Sequence, residues 1–125
     1  MGADMVRILV VDDDPEILKL EEKILQRDGY DVTTSNDGAA AIRLLADQDF
    51  DLLLLDVMMP GVDGYEVSLS LERRQGPPVP VVFVTAHDDP ESMRKGFRSG
   101  GTVFLSKPFT ANQLSRLVKS MLERS

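Results

Sequence analysis

Cysteine is absent from this 125-residue chain, which excludes a disulfide framework, a thiolate metal site and a cysteine nucleophile. Its absence agrees with a reducing compartment. No run approaches the roughly 18 apolar residues that a membrane span requires. The N-terminus also lacks the basic-then-apolar pattern of a signal peptide, so the expected location is the cytoplasm, away from membranes. Basic residues are in the minority, 14 against 21 acidic ones, for a net charge of −7. Nucleic-acid binding needs a cationic face to displace phosphate counterions, so no direct contact with nucleic acid is expected. No glycine-rich phosphate loop follows the first apolar run, which argues against a flavin or nucleotide binder. Linkers, repeats and low-complexity stretches are missing as well. Residues 1–125 therefore read as a single domain, with 1–5 set aside as a disordered lead or expression remnant. Histidine occurs once, at His87.

What is present alternates between two periodicities. Arg7 to Val11 (R-I-L-V-V) is a short β-branched run, the pattern of a strand covered on both faces. Asp14 before Pro15 predicts a helix N-cap with proline at the first helical position. Ile17, Leu20, Ile24 and Leu25 follow at helical spacing, and Gly29 ends that helix. Tyr30 to Thr34 predicts a second strand and Asp37 to Ala46 a second helix, with Ala41, Ile42 and Leu45 on one face. Asp51 to Leu55, Val79 to Val84 and Val103 to Leu105 read as three further strands. The last helix opens on a Thr110/Gln113 capping box and carries Leu114, Leu117, Val118, Met121 and Leu122 on one face. One segment conflicts with this order. Tyr65, Val67, Leu69 and Leu71 alternate with polar residues as a strand would. The βα alternation elsewhere demands a crossover helix over 64–74, which leaves some of Tyr65, Leu69 and Leu71 partly exposed. The expected architecture is α/β, a parallel sheet covered by helices on both faces.

Open parallel sheets bind ligands beyond the carboxyl ends of their strands. Here those ends carry Asp12-Asp13-Asp14, then Asp56, then Thr85-Ala86, then Ser106-Lys107-Pro108. Carboxylates gathered that closely repel one another unless a cation compensates. Oxygen ligands suit Mg²⁺, which takes one or two carboxylates, keeps some waters and accepts a phosphoryl oxygen. Lys107 adds a point charge and Thr85 a rotatable hydroxyl. Together these are the parts of phosphoryl transfer: metal, cation, hydrogen-bond donor and oxygen nucleophile. Singly, each has an ordinary reading. Asp12 and Asp13 would complement a helix dipole, Asp56 would serve a turn before Met58-Met59-Pro60-Gly61, and Lys107 would be a loop lysine. Asp14 is assigned to capping alone.

Four motifs carry a family resemblance: I-L-V-V-D-D at 8–13, D-L-L-L-L-D-V-M-M-P-G-V-D-G at 51–64, V-V-F-V-T-A at 81–86 and F-L-S-K-P-F at 104–109. With the intervals between them, they resemble the receiver domain of two-component response regulators, the chemotaxis-type receiver included, from about Val6 to Leu122. The resemblance implies a flavodoxin-like, doubly wound five-stranded parallel sheet in the order 2-1-3-4-5 with five helices. It implies phosphorylation of Asp56 by a histidine kinase or phosphotransfer protein in a phosphorelay, which makes the chain a signalling switch rather than a turnover enzyme. By the same resemblance Asp13, Asp56 and the Met58 backbone carbonyl bind Mg²⁺ (or Mn²⁺) directly, and Asp12 acts mainly through a metal-bound water. Lys107, ahead of a cis peptide to Pro108, binds the phosphoryl group. Thr85 moves its hydroxyl toward that group, and Phe104 turns into the space vacated. The face built by strand 5 and the helices on either side of it is the readout. Met58 and His87, two residues after Asp56 and Thr85, tune dephosphorylation.

Two departures stand out. Ser99-Gly100-Gly101-Thr102 lacks the acids that many receivers carry there, which argues against the dimer of winged-helix regulators. Phe104 replaces the tyrosine found elsewhere at the switch position. A hydrolase of the haloacid dehalogenase type would place its nucleophile after the first strand with a second Asp two residues on, whereas Asp56 follows the third strand and position 58 is Met. A phosphorylation-independent interaction module would lack the acidic pocket. The downstream target is not readable: no effector segment follows Ser125, so the expected form is a stand-alone receiver or one domain of a longer regulator.

Overall fold

The computed structural model describes residues 5–57, 59–86 and 103–123. Its elements are β1 (Arg7–Val11), α1 (Pro15–Arg27), β2 (Asp31–Ser35), α2 (Gly38–Asp47), β3 (Leu52–Leu55), α3 (Gly64–Ser70) with a 3₁₀ turn over Leu71–Arg73, β4 (Val81–Thr85), β5 (Val103–Ser106) and α4 (Ala111–Glu123). The strands pair in parallel in the order β2-β1-β3-β4-β5, as expected. The fifth helix, expected between β4 and β5, lies outside the described residues.

Alternation along the strands divides the core in two. Leu9, Val11, Leu53, Leu55, Val81 and Phe83 pack with Ala41 and Leu45 of α2 and Tyr65 and Val67 of α3. Ile8, Val10, Leu52, Leu54, Val82 and Val84 pack with Ile24 and Leu25 of α1 and Leu114, Val118 and Met121 of α4. Successive side chains on a strand point to opposite faces, so a run such as L-L-L-L must be buried on both sides. All four residues of β3 are fully buried.

The caps follow from local chemistry. The Asp14 carboxylate accepts from the Glu16 backbone N–H at 2.9 Å, Asp37 from Ala40 at 2.8 Å and Asp63 from Glu66 at 2.9 Å. The expected capping box closes reciprocally: the Gln113 amide donates to the Thr110 hydroxyl at 3.1 Å, and the Thr110 amide donates to Gln113 Oε1 at 2.8 Å. Segment 64–73 is helical despite its alternating pattern. The outcome is visible in its side chains: Tyr65 is buried with its ring tilted 56° to that of Phe83, centroids 5.4 Å apart, Leu71 is half-buried, and Leu69 is exposed. The crossover requirement overrode strand periodicity, and Leu69 was left facing out.

One expectation for α1 is corrected. Leu20 is 44% exposed, and the position buried between Ile17 and Ile24 is Glu21, at 1%. Helix geometry places residues 17, 21, 24 and 25 on one stripe, and the chain put a carboxylate there.

Phe83 is fully buried and touches the rings of both Tyr65 and Phe104. Phe83→Ala is expected to cost about 3–5 kcal/mol of unfolding free energy, read by urea denaturation.

Candidate functional site

The strand register brings the acids together before any side chain is considered. Val11 pairs with Leu55, so the next residues, Asp12 and Asp56, leave adjacent strands side by side, with neighbouring strands about 4.8 Å apart. The backbone continues the pairing, since the Asp12 amide donates to the Ser35 carbonyl at 3.2 Å and the Asp56 amide to the Val11 carbonyl at 2.9 Å. The carboxylates of Asp12, Asp13 and Asp56 each offer an oxygen within 4.8 Å of the others. Asp12 and Asp56 are buried, at 1% and 6% exposure, and Asp13 faces out.

Lys107 closes this cluster from β5. Its ammonium donates to Asp12 Oδ2 at 2.8 Å and stands 3.6 Å from Asp56 Oδ2. A cis peptide joins Lys107 to Pro108. Burial pulls the Lys107 ammonium down, but its hydrogen bond to Asp12 and the charges of Asp56, Asp12 and Glu21 outweigh that, so its pKa is raised overall. The other Asp12 oxygen accepts from the Asp14 amide at 2.9 Å, so both oxygens are engaged within the protein.

Thr85 ends β4, fully buried, and its carbonyl accepts from the Lys107 amide at 2.9 Å. Phe104 is half-buried in β5, packed on Phe83 with ring centroids 5.2 Å apart. Met58 and His87 lie outside the described residues. The site predicted from sequence thus assembles from Asp12, Asp13, Asp56, Thr85 and Lys107, with Phe104 one strand pair away.

A divalent cation fits this donor set. Among the described residues, three carboxylates against one ammonium leave two formal negative charges in a half-buried pocket, and hard oxygen donors suit Mg²⁺ or Mn²⁺.

Two residues escaped the sequence reading. Gly64 opens α3 against the back of the site. A Cβ there would stand 2.2 Å from the Asp56 carbonyl oxygen and 2.9 Å from Val57 Cα. The Gly64 amide donates to the Val57 carbonyl at 3.0 Å, tying the β3–α3 loop to the end of β3. The close approach is a tertiary contact. The second is Glu21. Neither of its oxygens has a hydrogen-bond partner among the described residues. Its pKa is pushed up to about 8, first by burial, then by the negative charge of Asp12, with Lys107 opposing and Asp56 adding. Its signal was the gap in the stripe between Ile17 and Ile24.

The folded Glu21 carboxyl keeps its proton up to about 8, whereas an ordinary one loses it near 4.5. Between those values the folded state binds more protons than the unfolded, so stability falls as pH rises; the penalty is absent below that window and constant above it. Chemical denaturation of the metal-free protein at pH values across the window should show Glu21→Leu gaining on the wild type by on the order of a few kcal/mol at the upper end. A constant difference across the window would contradict this. Gly64→Ala forces a methyl into the Asp56 backbone and is expected to cost about 1–3 kcal/mol. It should also weaken divalent-cation binding, measured by titration calorimetry.

The sequence matches the family model of the response regulator receiver domain over residues 8–119. It is 39% identical over 119 residues to the alkaline phosphatase synthesis transcriptional regulatory protein PhoP of Bacillus subtilis, covering 95% of this chain and 49% of that protein. The chain spans about half the length of the curated relatives it matches. Chemotaxis protein CheY4 of Vibrio cholerae superposes with a TM-score of 0.90 at 31% identity, covering 95% of this chain and 100% of that one. The receiver domain of the sensor histidine kinase PA1611 of Pseudomonas aeruginosa, solved with a magnesium ion coordinated in its active-site cleft, superposes with a TM-score of 0.87 at 29% identity, covering 96% and 99%. On its motifs, its sheet order and this match, the chain belongs to the response regulator receiver domain family, the signalling modules of two-component phosphorelays.

Proposed function

We propose that this domain is a Mg²⁺-dependent phosphoacceptor and that Asp56 is the residue modified. The observation that carries the reading is the convergence of Asp12, Asp13, Asp56 and Lys107 from three strand ends. Asp56 is the most central of the acids: it ends β3, the middle strand, and is within reach of Lys107.

In the proposed reaction, an Asp56 carboxylate oxygen forms a bond to the phosphorus of a phosphohistidine on a histidine kinase or phosphotransfer protein. The P–N bond breaks, its electron pair returns to an imidazole ring that is protonated at its other nitrogen, and the products are an aspartyl phosphate and neutral histidine. Water later displaces the phosphate and restores the carboxylate. The Lys107 ammonium binds a phosphoryl oxygen as the new dianion forms. A bound Mg²⁺ supplies charge neutralisation at the phosphoryl oxygens. Asp13 and Asp56, with the Met58 carbonyl carried over from the family pattern, would hold it directly. Asp12, whose oxygens are already engaged by Lys107 and the Asp14 amide, fits an indirect role through water. No helix among the described residues is long and apolar enough to cross a membrane.

The readout follows from the sheet. Thr85 and Phe104 lie on adjacent strands, and Phe104 rests on Phe83. A phosphoryl group on Asp56 offers acceptors to the Thr85 hydroxyl, and moving that side chain changes the space beside Phe104. The two conformations then differ in their affinity for the phosphoryl group, which is what shifts their populations. His87 and Met58 are assigned to tuning the lifetime of the modified state. The output target is a protein contact or a fused effector. Relatives such as PhoP are named as transcriptional regulators, and their additional length is where an effector would sit.

Incubation with acetyl phosphate and Mg²⁺ should add one phosphoryl group, seen by intact-protein mass spectrometry. Asp56→Asn and chelation by EDTA should each abolish it. Lys107→Ala should slow it by about 10²-fold or more, the scale seen on removing one preorganised electrostatic stabiliser. Equal labelling of the wild type and Asp56→Asn would remove the reading.

A further inference from the structure

Gly38, the first residue of α2, is buried and has no part in the proposed reaction. A Cβ built on it would stand 2.3 Å from the Val62 carbonyl oxygen and 3.0 Å from Val62 Cβ and Cγ1. The Gly38 hydrogen in that place points at the carbonyl, a Cα–H···O contact. The positive end of the α2 dipole favours the same oxygen. Val62 lies in the β3–α3 loop, which leaves the site at Asp56 and enters α3 at Gly64.

This contact completes a ring around the site. The Asp12 amide donates to the Ser35 carbonyl at 3.2 Å, and the Ser35 hydroxyl donates to the Asp37 carbonyl at 2.9 Å. Asp37 caps α2, accepting from the Ala40 amide at 2.8 Å. Gly38 then meets Val62. The loop returns to the site through Gly64, whose amide donates to the Val57 carbonyl at 3.0 Å and whose Cα abuts the Asp56 carbonyl. Of the two bodies that meet at Gly38, α2 is the firmer. Its first turn is capped, and Ala41 and Leu45 lie in the core. Residues 59–63 form neither strand nor helix. An obstruction at Gly38 would therefore move the loop.

We propose that Gly38 is a positioning residue: its bare Cα seats the β3–α3 loop on α2 and so sets the Asp56 end of the site for a divalent cation. The inference rests on the metal-dependent reading, in which Asp56 and a carbonyl of this loop hold the cation. An ordinary close C···O approach is roughly 3.3–3.6 Å, so a methyl at position 38 would push the Val62 carbonyl away by about 1 Å. Gly64 passes that displacement to the backbone of Val57 and Asp56. Sites that bind cations tolerate little of it, because ligand placement depends on the groups that back the ligands. Alanine is the better helix former, so helix propensity would make the same substitution favourable for α2. The two effects have opposite signs, which makes the role testable.

The test uses the full chain and two readouts: Mg²⁺ affinity by calorimetry, and hydrogen exchange of the Gly64 amide by NMR in the metal-free protein. Gly38→Ala should weaken Mg²⁺ binding about tenfold or more, the scale of losing a group that supports a metal ligand. Its Gly64 amide should exchange faster than in the wild type. Gly29→Ala is the control for stability alone. Gly29 has φ +96° and open space around it, so alanine strains the α1–β2 turn without meeting the loop. That variant should keep wild-type Mg²⁺ affinity and wild-type Gly64 exchange. Asp37→Ala, which loosens the α2 seat by removing its cap, should share the loss, whereas Asp37→Asn removes the same charge, keeps the cap and should bind Mg²⁺ more tightly than Asp37→Ala. Wild-type Mg²⁺ affinity in Gly38→Ala, or an equal loss in Gly29→Ala, would overturn the proposal. Should Gly38→Ala fail to fold, equal affinities in Asp37→Ala and Asp37→Asn would overturn it. A wild type that binds no Mg²⁺ would instead overturn the metal-dependent reading, and Gly64 exchange would still decide whether Gly38 seats the loop.

Discussion

The mutual repulsion of Asp12, Asp13 and Asp56, held in check by Lys107, is the constraint around which the rest of the molecule is arranged. Three carboxylate oxygens within 4.8 Å of one another are an electrostatic liability. The fold makes them stay. Parallel pairing of β1 with β3 sets Asp12 beside Asp56, and both strands are buried on both faces, so neither end can retreat. The missing side chain at Gly64 lets the β3–α3 loop press against the Asp56 backbone. The Lys107 amide, bound to the Thr85 carbonyl, fixes where the Lys107 ammonium enters. The molecule is built to hold charge that it does not itself cancel.

The site also straddles the sheet. By alternation Asp12 and Asp56 continue the face covered by α1 and α4. Thr85 continues the row of Val81 and Phe83 on the other face, where Phe104 packs beside Phe83. A change of charge at Asp56 is therefore felt by groups belonging to both layers. This gives the proposed switching a physical basis without any long-range pathway: adjacent strand ends, one hydroxyl and one aromatic contact.

Much of this was legible in the residues. β1, α1, α4 and their caps appear where the spacing puts them, because Asp14-Pro15 and Thr110/Gln113 are local chemistry. Strand boundaries moved by a residue or two, as β2 did from Tyr30–Thr34 to Asp31–Ser35. The acidic pocket was legible because sheet topology forces strand ends together. The helix at 64–70, which runs against its own alternating pattern, was legible only from the fold, because two parallel strands must be joined. Two things were not legible. Leu20 faces outward and Glu21 inward because helical angle, not residue type, sets the buried stripe. The closeness of Gly64 to Asp56 is a tertiary contact that no local pattern announces.

The most direct test of the account is to map the modification. Acyl phosphates, unlike free carboxylates or phosphate esters on hydroxyls, are reduced by borohydride to the alcohol. Protein treated with acetyl phosphate and Mg²⁺, then reduced and analysed by peptide mass spectrometry, should carry homoserine at position 56 in place of aspartate. Aspartate retained at 56 with homoserine at position 12 or 13, or no reduced residue at all in protein that has taken up phosphate, would contradict it.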